Sequence, residues 1–317
     1  MHARHVVTLI AAVCLAACGR PAAGPARTAV AIASGGPGGA LYPLALSLQR
    51  VYHGDFPNLL VSIQPLGSSG SVDALQDGGA QIGFAQADIA YLAYTRGTTA
   101  HPRPHTGLRG IAVLWANTAQ IAVPDDSPIQ SISDLRGKRV AVGSPGTSTE
   151  VLARLILKAY GMSYADLRPA FTSFDERVKQ MRHGAIDAAF VVTAIPAPVI
   201  QELKANPGIR LIPVDPDRIE AFRGRYPFLR PTLLPEGTYA WQHKPLPVVG
   251  IDELLVCRSD LSDALVYQLT KAFFEALPML ARVNAAAGTI DLDEAPGTPI
   301  PLHPGAARYY REREIGR

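Results

Sequence analysis

The chain is short of the features that announce catalysis, nucleic-acid binding or a membrane span. In 317 residues there are three cysteines, and Cys14 and Cys18 both fall in the first twenty positions, so Cys257 is alone in the remainder. No paired Cys/His set has the spacing of a metal site. His101 and His105 stand four apart, but Pro102 and Pro104 forbid the helix that would aim both imidazoles at one ion. There is no G-x-S-x-G elbow and no H-E-x-x-H, and the serines of the Gly-rich loops sit beside no histidine that could serve as a base. Thirty Lys and Arg against 27 Asp and Glu leave a net charge of +3, with no basic block and no aromatic-basic stripe, which argues against nucleic acid as a partner. These absences point away from an enzyme and give no reason to expect a catalytic residue, a metal or a cofactor. With 48% hydrophobic and 18% charged residues, the chain has the balance of a soluble α/β protein, long enough for two lobes each with its own core.

What is present is a repeated unit of strand, small polar loop and helix. Its clearest copy runs from the strand Arg139 to Val142 through Gly143 to Glu150 (G-S-P-G-T-S-T-E) into the helix Val151 to Tyr160. A helix start carries unpaired backbone N–H groups and partial positive charge, and a loop without bulky side chains lets an anion reach them. Thr147 and Glu150 also have the spacing of a capping box, which would satisfy those donors internally. The unit recurs as strand Thr28 to Ala33, loop Ser34 to Gly39 and helix Leu41 to Val51. It recurs again as strand Leu59 to Gln64, loop Pro65 to Ser71 and short helix Val72 to Gln76. Strand Gln81 to Ala85 then delivers Gln86 and Asp88 to a helix Ile89 to Tyr94. Asp88 can be read as a helix cap or as a counter-charge for a ligand ammonium. No lysine follows the last glycine of the first loop, so a nucleotide site is weakly supported.

Further along, Leu108 to Leu114 and Ile121 to Pro124 read as two strands, Gly184 to Thr193 as a buried strand and Ile209 to Val214 as another. Thr193 to Pro198 begins a helix. Ile219 to Trp241 is less regular, Val248 to Arg258 is an apolar strand, and Leu261 to Ala281 is a long amphipathic helix. The alternation predicts parallel sheets with ligands beyond the strand carboxyl ends, where all four polar loops fall. The ligand-binding candidates are therefore Ser34, Gly36, Gly39, Tyr42, Ser69, Ser71, Gln86, Asp88, Thr147, Ser148, Thr149 and Thr193. The loops contain no Arg or Lys, so a carboxylate there would be held by backbone N–H groups, hydroxyls and helix dipoles.

At the amino end, Arg4 and His5, an apolar run Val6 to Ala17 and then Leu15 to Gly19 (L-A-A-C-G) resemble a bacterial lipoprotein signal peptide with its lipobox. The apolar run is too short to cross a bilayer. The resemblance implies a signal peptide over 1–17, lipidation of Cys18, a tether over 18–27, and a mature fold without an internal disulfide.

Six stretches in order also resemble the TAXI family, the extracytoplasmic solute receptors of tripartite ATP-independent periplasmic (TRAP) transporters. They are Ser34 to Pro43, Ser68 to Leu75, Gly83 to Tyr94, Asp134 to Glu150, Pro235 to Tyr239 and Pro301 to Glu312. The chain departs from the family pattern at Leu41, at Asp73 and Ala74, and at Ala194. The resemblance implies a two-lobed α/β periplasmic-binding-protein-like (type II) fold, with lobe 1 over 28–118 plus 258–317, lobe 2 over 119–257 and a ligand cleft between them. It implies capture of a small anionic solute such as glutamate or 2-oxoglutarate, delivery to an integral TRAP permease on a separate chain, and an extracytoplasmic, lipid-anchored location. A lipid-anchored sensor subunit has the same cleft physics, and a hydrolase is the remaining alternative.

Overall fold

The computed structural model describes residues 28–35, 41–206 and 208–315. The proposed signal peptide, Cys18, the tether, Gly36 and Gly39 lie outside the described residues. In chain order the elements are β1 (Thr28–Ser34), α1 (Leu41–Asp55), β2 (Leu59–Pro65), α2 (Gly67–Asp77), β3 (Ile82–Gln86), α3 (Ala87–Arg96) and β4 (Leu108–Pro124). The middle of the chain contributes β5 (Arg139–Ala141), α4 (Ser148–Ala159), β6 (Arg168–Ala170), α5 (Phe174–Arg182), β7 (Ala188–Thr193), α6 (Pro198–Ala205), β8 (Ile209–Ile212), α7 (Pro216–Arg223) and β9 (Arg230–Leu234). Then come β10 (Leu246–Arg258), α8 (Asp263–Glu275), α9 (Leu277–Val283) and α10 (Pro304–Ile315).

The strands form one sheet in the order β2-β1-β3-β10-β4-β7-β5-β6, with β8 added to β4 and β9 to β10. Two parallel triplets are present, β2-β1-β3 and β7-β5-β6. The expectation of parallel sheets is corrected between them. There β10 runs antiparallel to both β3 and β4, and β4 runs antiparallel to β7 and β8. β4 and β10 are the longest strands described, at 17 and 13 residues, and their ladder joins the triplets. The result is a two-lobed α/β fold of the type II periplasmic-binding-protein kind.

The cores follow the helices. α1, α8, α9 and α10 cover one face of the first triplet, burying Leu44, Phe84, Phe273 and Tyr310 around Ile32 and Ile111. On the other face, α2 and α3 share a continuous apolar layer with α4 and α7, which includes Val72, Ile89, Leu152 and Phe190. α5 and α6 close the remaining face of the second triplet over Val191 and Ile200. Cys257 is buried with a free thiol.

Boundaries shift at several places, as where the strand read over 184–193 begins at Ala188 and the helix read from Thr193 begins at Pro198, and three segments are organised differently. The two strands expected at 108–114 and 121–124 are one, because the polar stretch between them is buried and bonded: Asn117 Nδ2 donates to Glu253 Oε2 at 3.1 Å, and Tyr239 Oη donates to Gln120 Oε1 at 2.6 Å. The long helix over 261–281 is two, since Ala276 caps α8 and Pro278 sits in the first turn of α9, where a missing N–H is harmless. The loop assigned to Pro65 through Ser71 is largely helical, because α2 begins at Gly67.

Candidate functional site

The carboxyl ends of the two parallel triplets meet, and two hydrogen bonds cross between them. Ser148 Oγ, at the first residue of α4, donates to Asp88 Oδ1 at 2.7 Å, and Ser69 Oγ, in the first turn of α2, donates to the Gly146 carbonyl at 2.5 Å. Local backbone demands shape the second side of this contact. Gly143 has φ +97°, and a Cβ there would lie 2.8 Å from Thr149 Cβ and 2.9 Å from the Glu150 nitrogen. Only glycine lets the chain turn back this tightly onto the helix start.

The capping box foreseen at Thr147 and Glu150 is half formed. Thr147 Oγ1 accepts from the Glu150 N–H at 3.4 Å and donates to the Ser144 carbonyl at 2.7 Å. The Glu150 carboxylate does not return to Thr147. It accepts from Tyr164 Oη at 2.9 Å and from Arg154 Nε at 3.2 Å. Thr147 is thus exposed and acts as a cap, whereas Ser148 and Thr149 are buried at the helix start.

Asp88 is not the N-cap of α3. That position is Gln86, whose side chain makes no capping bond, and Asp88 lies in the first turn. Its side chain is fully buried, and Oδ2 makes no hydrogen bond. Burial pushes its carboxyl up to about 6, opposed by the Ser148 hydroxyl, by backbone N–H groups and by Arg154.

A second buried carboxylate stands nearby that the sequence reading did not single out. Glu253 of β10 pairs with Gln86 of β3 across the antiparallel ladder, so the two side chains share a face. Glu253 is buried, accepts from Asn117 through Oε2 and leaves Oε1 without a hydrogen bond; the Gln86 amide approaches it without completing one. Burial pushes its carboxyl up to about 8, the Asn117 amide opposes this, and the charge of Asp88 pushes it further up. A signal was available: Asp252 and Glu253 interrupt an otherwise apolar strand, and carboxylates in such a place are rare unless partnered or functional.

The other candidates divide. Ser71 is buried with its hydroxyl unpartnered, and Ser68, which was not on the candidate set, accepts the Gln86 N–H at 3.3 Å. Thr193 ends β7 opposite the buried Thr118. Ser34 and Tyr42 are not joined to the cluster: the Ser34 hydroxyl donates to the Gly35 carbonyl at 3.0 Å, and Tyr42 opens α1 on the opposite face of the sheet. On that opposite face of β10, Arg230 pairs with Asp252 and reaches Glu294 at 3.5 Å. There a cavity of about 420 Å³ is lined by Trp115, Ala194, Ile195 and Thr289. Its lining holds one cation, Arg230, against the carboxylates of Asp252, Asp291 and Glu294, an acidic balance that disfavours an anion. The Asp88 side, with its unpartnered oxygens, is the stronger candidate. Among the described residues no group of three or more His, Cys, Asp or Glu could hold a metal, and no helix is long and apolar enough to cross a membrane.

The two raised carboxyls set the sign of a pH effect. Between about pH 4, where free carboxyls titrate, and the folded values near 6 and 8, the folded state holds more protons than the unfolded one. Stability is therefore greatest at the acid end of this window and declines as pH rises through 6 to 8. Melting curves of the solute-free protein should show a lower Tm at pH 8.5 than at pH 5.5, and Glu253→Gln should shrink the difference. Equal shifts in both proteins would contradict this assignment.

The family model described as NMT1-like matches residues 32–313. Among solved structures, the periplasmic aliphatic sulphonate binding protein SsuA from Escherichia coli superposes with a TM-score of 0.50 at 15% identity, over 90% of this chain and 83% of that one. A Xanthomonas citri protein solved with a bound chloride ion superposes with a TM-score of 0.52 at 14% identity, over 91% of this chain and 96% of that one. Likeness at these identities is a likeness of fold.

Proposed function

The chain belongs to the NMT1-like family, and from that premise we propose that it is an extracytoplasmic solute-binding lipoprotein, not an enzyme. It captures a small anionic organic solute, an amino acid or a carboxylate such as glutamate or 2-oxoglutarate, and hands it to a TRAP-type permease on another chain. The observation that carries this reading is the pair of hydrogen bonds, Ser148 to Asp88 and Ser69 to Gly146, that bring the α2, α3 and α4 starts together. A solute between them meets the free N–H groups of α4 with its anionic end. The lobes are 28–118 with 258–317, and 119–257, and they move about β4 and β10.

A thermal-shift screen with L-glutamate, 2-oxoglutarate, taurine and ethanesulfonate tests the reading. A solute at about a hundred times its Kd stabilises the folded state by about 2.7 kcal/mol. No stabilisation by any of the four, in folded protein, would count against a cleft for small anionic solutes.

The membrane location follows from Cys18. Expressed with its own leader, Cys18→Ala should shift the protein from the membrane pellet to the soluble fraction. A variant that stays fully in the pellet would move the anchor elsewhere.

A further inference from the structure

We propose that Asp88 and Glu253 together seat a positively charged nitrogen of the solute, so that the cleft selects molecules bearing an ammonium as well as an acid group. This rests on the cleft reading above and narrows its ligand class. The two carboxylates come from different elements, the start of α3 and the middle of β10, and both are fully buried. Each is held through one oxygen by a neutral donor, Ser148 Oγ at 2.7 Å and Asn117 Nδ2 at 3.1 Å. Each leaves its other oxygen, Asp88 Oδ2 and Glu253 Oε1, buried without a hydrogen bond.

Two unpartnered carboxylate oxygens in a water-poor site are costly unless a cation or a proton joins them. The cation that acts on Asp88 from α4 is Arg154, and its Nε is bonded to Glu150. An ammonium brings three N–H donors and no acceptor, which is the complement of two acceptor oxygens that lack donors. Two carboxylates are too few for calcium, which takes six to eight oxygens. With the ammonium there, the acid group of the same small molecule falls to the N–H groups at the start of α4.

Matched pairs of probes test this. Calorimetry with L-glutamate against 2-oxoglutarate, and with taurine against ethanesulfonate, compares solutes that differ in the amine. At least one amine-bearing member should bind tenfold or more tightly than its partner. Asp88→Asn and Glu253→Gln, which keep the size and the Ser148 or Asn117 bond, should each cut that preference by tenfold or more. Independently of any variant, uptake of the amine-bearing probe by the wild-type protein at pH 7 should release protons, read from the buffer dependence of the heat. Equal or tighter binding of the amine-free members, with the variants unchanged, would overturn the ammonium seat and leave the solute-binding function standing. Binding of none of the four by folded protein would overturn both.

Discussion

Ser148→Asp should weaken solute binding by well over tenfold. Ser148 is buried at the first residue of α4 and donates to the buried Asp88 carboxylate at 2.7 Å. Aspartate removes that donor, places a third carboxylate beside Asp88 and Glu253, and presents negative charge where the anionic end of the solute meets the helix. A change of about 1.4 kcal/mol is already tenfold, and like charges a few ångströms apart in a poorly solvated site exceed that. Calorimetry with L-glutamate or taurine, on a variant whose circular dichroism matches the wild type, measures it. Unchanged affinity would remove the α4 start from the site.

Phe190→Ala should rank among the most damaging single core changes. Phe190 is fully buried in β7, paired across the ladder with Ile121 of β4, within the apolar layer shared by α2, α3, α4 and α7. Truncating a buried phenylalanine costs about 3–5 kcal/mol, through lost transfer energy and the cavity left behind. Its carbonyl still accepts from Arg177 Nη1, a bond of 2.6 Å in the wild type, since that partner is backbone. The loss therefore reports packing. Urea unfolding should show a lower midpoint with little change in slope; a loss below about 1 kcal/mol would mean that the layer closes over the gap.

Local pattern carried β1, β2, β3, β5 and β7, because each is a short apolar run that breaks off at small or polar residues, whereas β6 and α5 were not singled out. The start of α4 was also legible: Gly143 and Thr147 to Glu150 state both the turn and the cap. Strand direction was not legible. An apolar run such as Val248 to Arg258 reads the same whether it lies parallel or antiparallel, and only the partners Gln86 and Asn117 settle it. Polarity also misled at two places. Ala116 to Gln120 looks like a connection, yet it continues the strand, with Asn117 bonded to Glu253 and the Gln120 side-chain carbonyl oxygen to Tyr239. Gly67 to Ser71 has weak helix propensity, and tertiary contacts such as Ser69 with Gly146 override it. In the candidate site, Gln86, Asp88 and Ser148 were identifiable from loop position, whereas Glu253 arrives from 165 positions beyond Asp88 and needs the sheet to bring it there.

The central claim is that a solute sits between the α2 and α3 side and the α4 side. Hydrogen–deuterium exchange tests it most directly, on the soluble chain with and without whichever of L-glutamate, 2-oxoglutarate or taurine binds most tightly. The account predicts that the solute slows exchange together in residues 67–71, 86–90 and 143–151, segments from both triplets. Protection confined to one side, or to the segments around Trp115, Ala194 and Thr289 that line the 420 Å³ cavity, would contradict it.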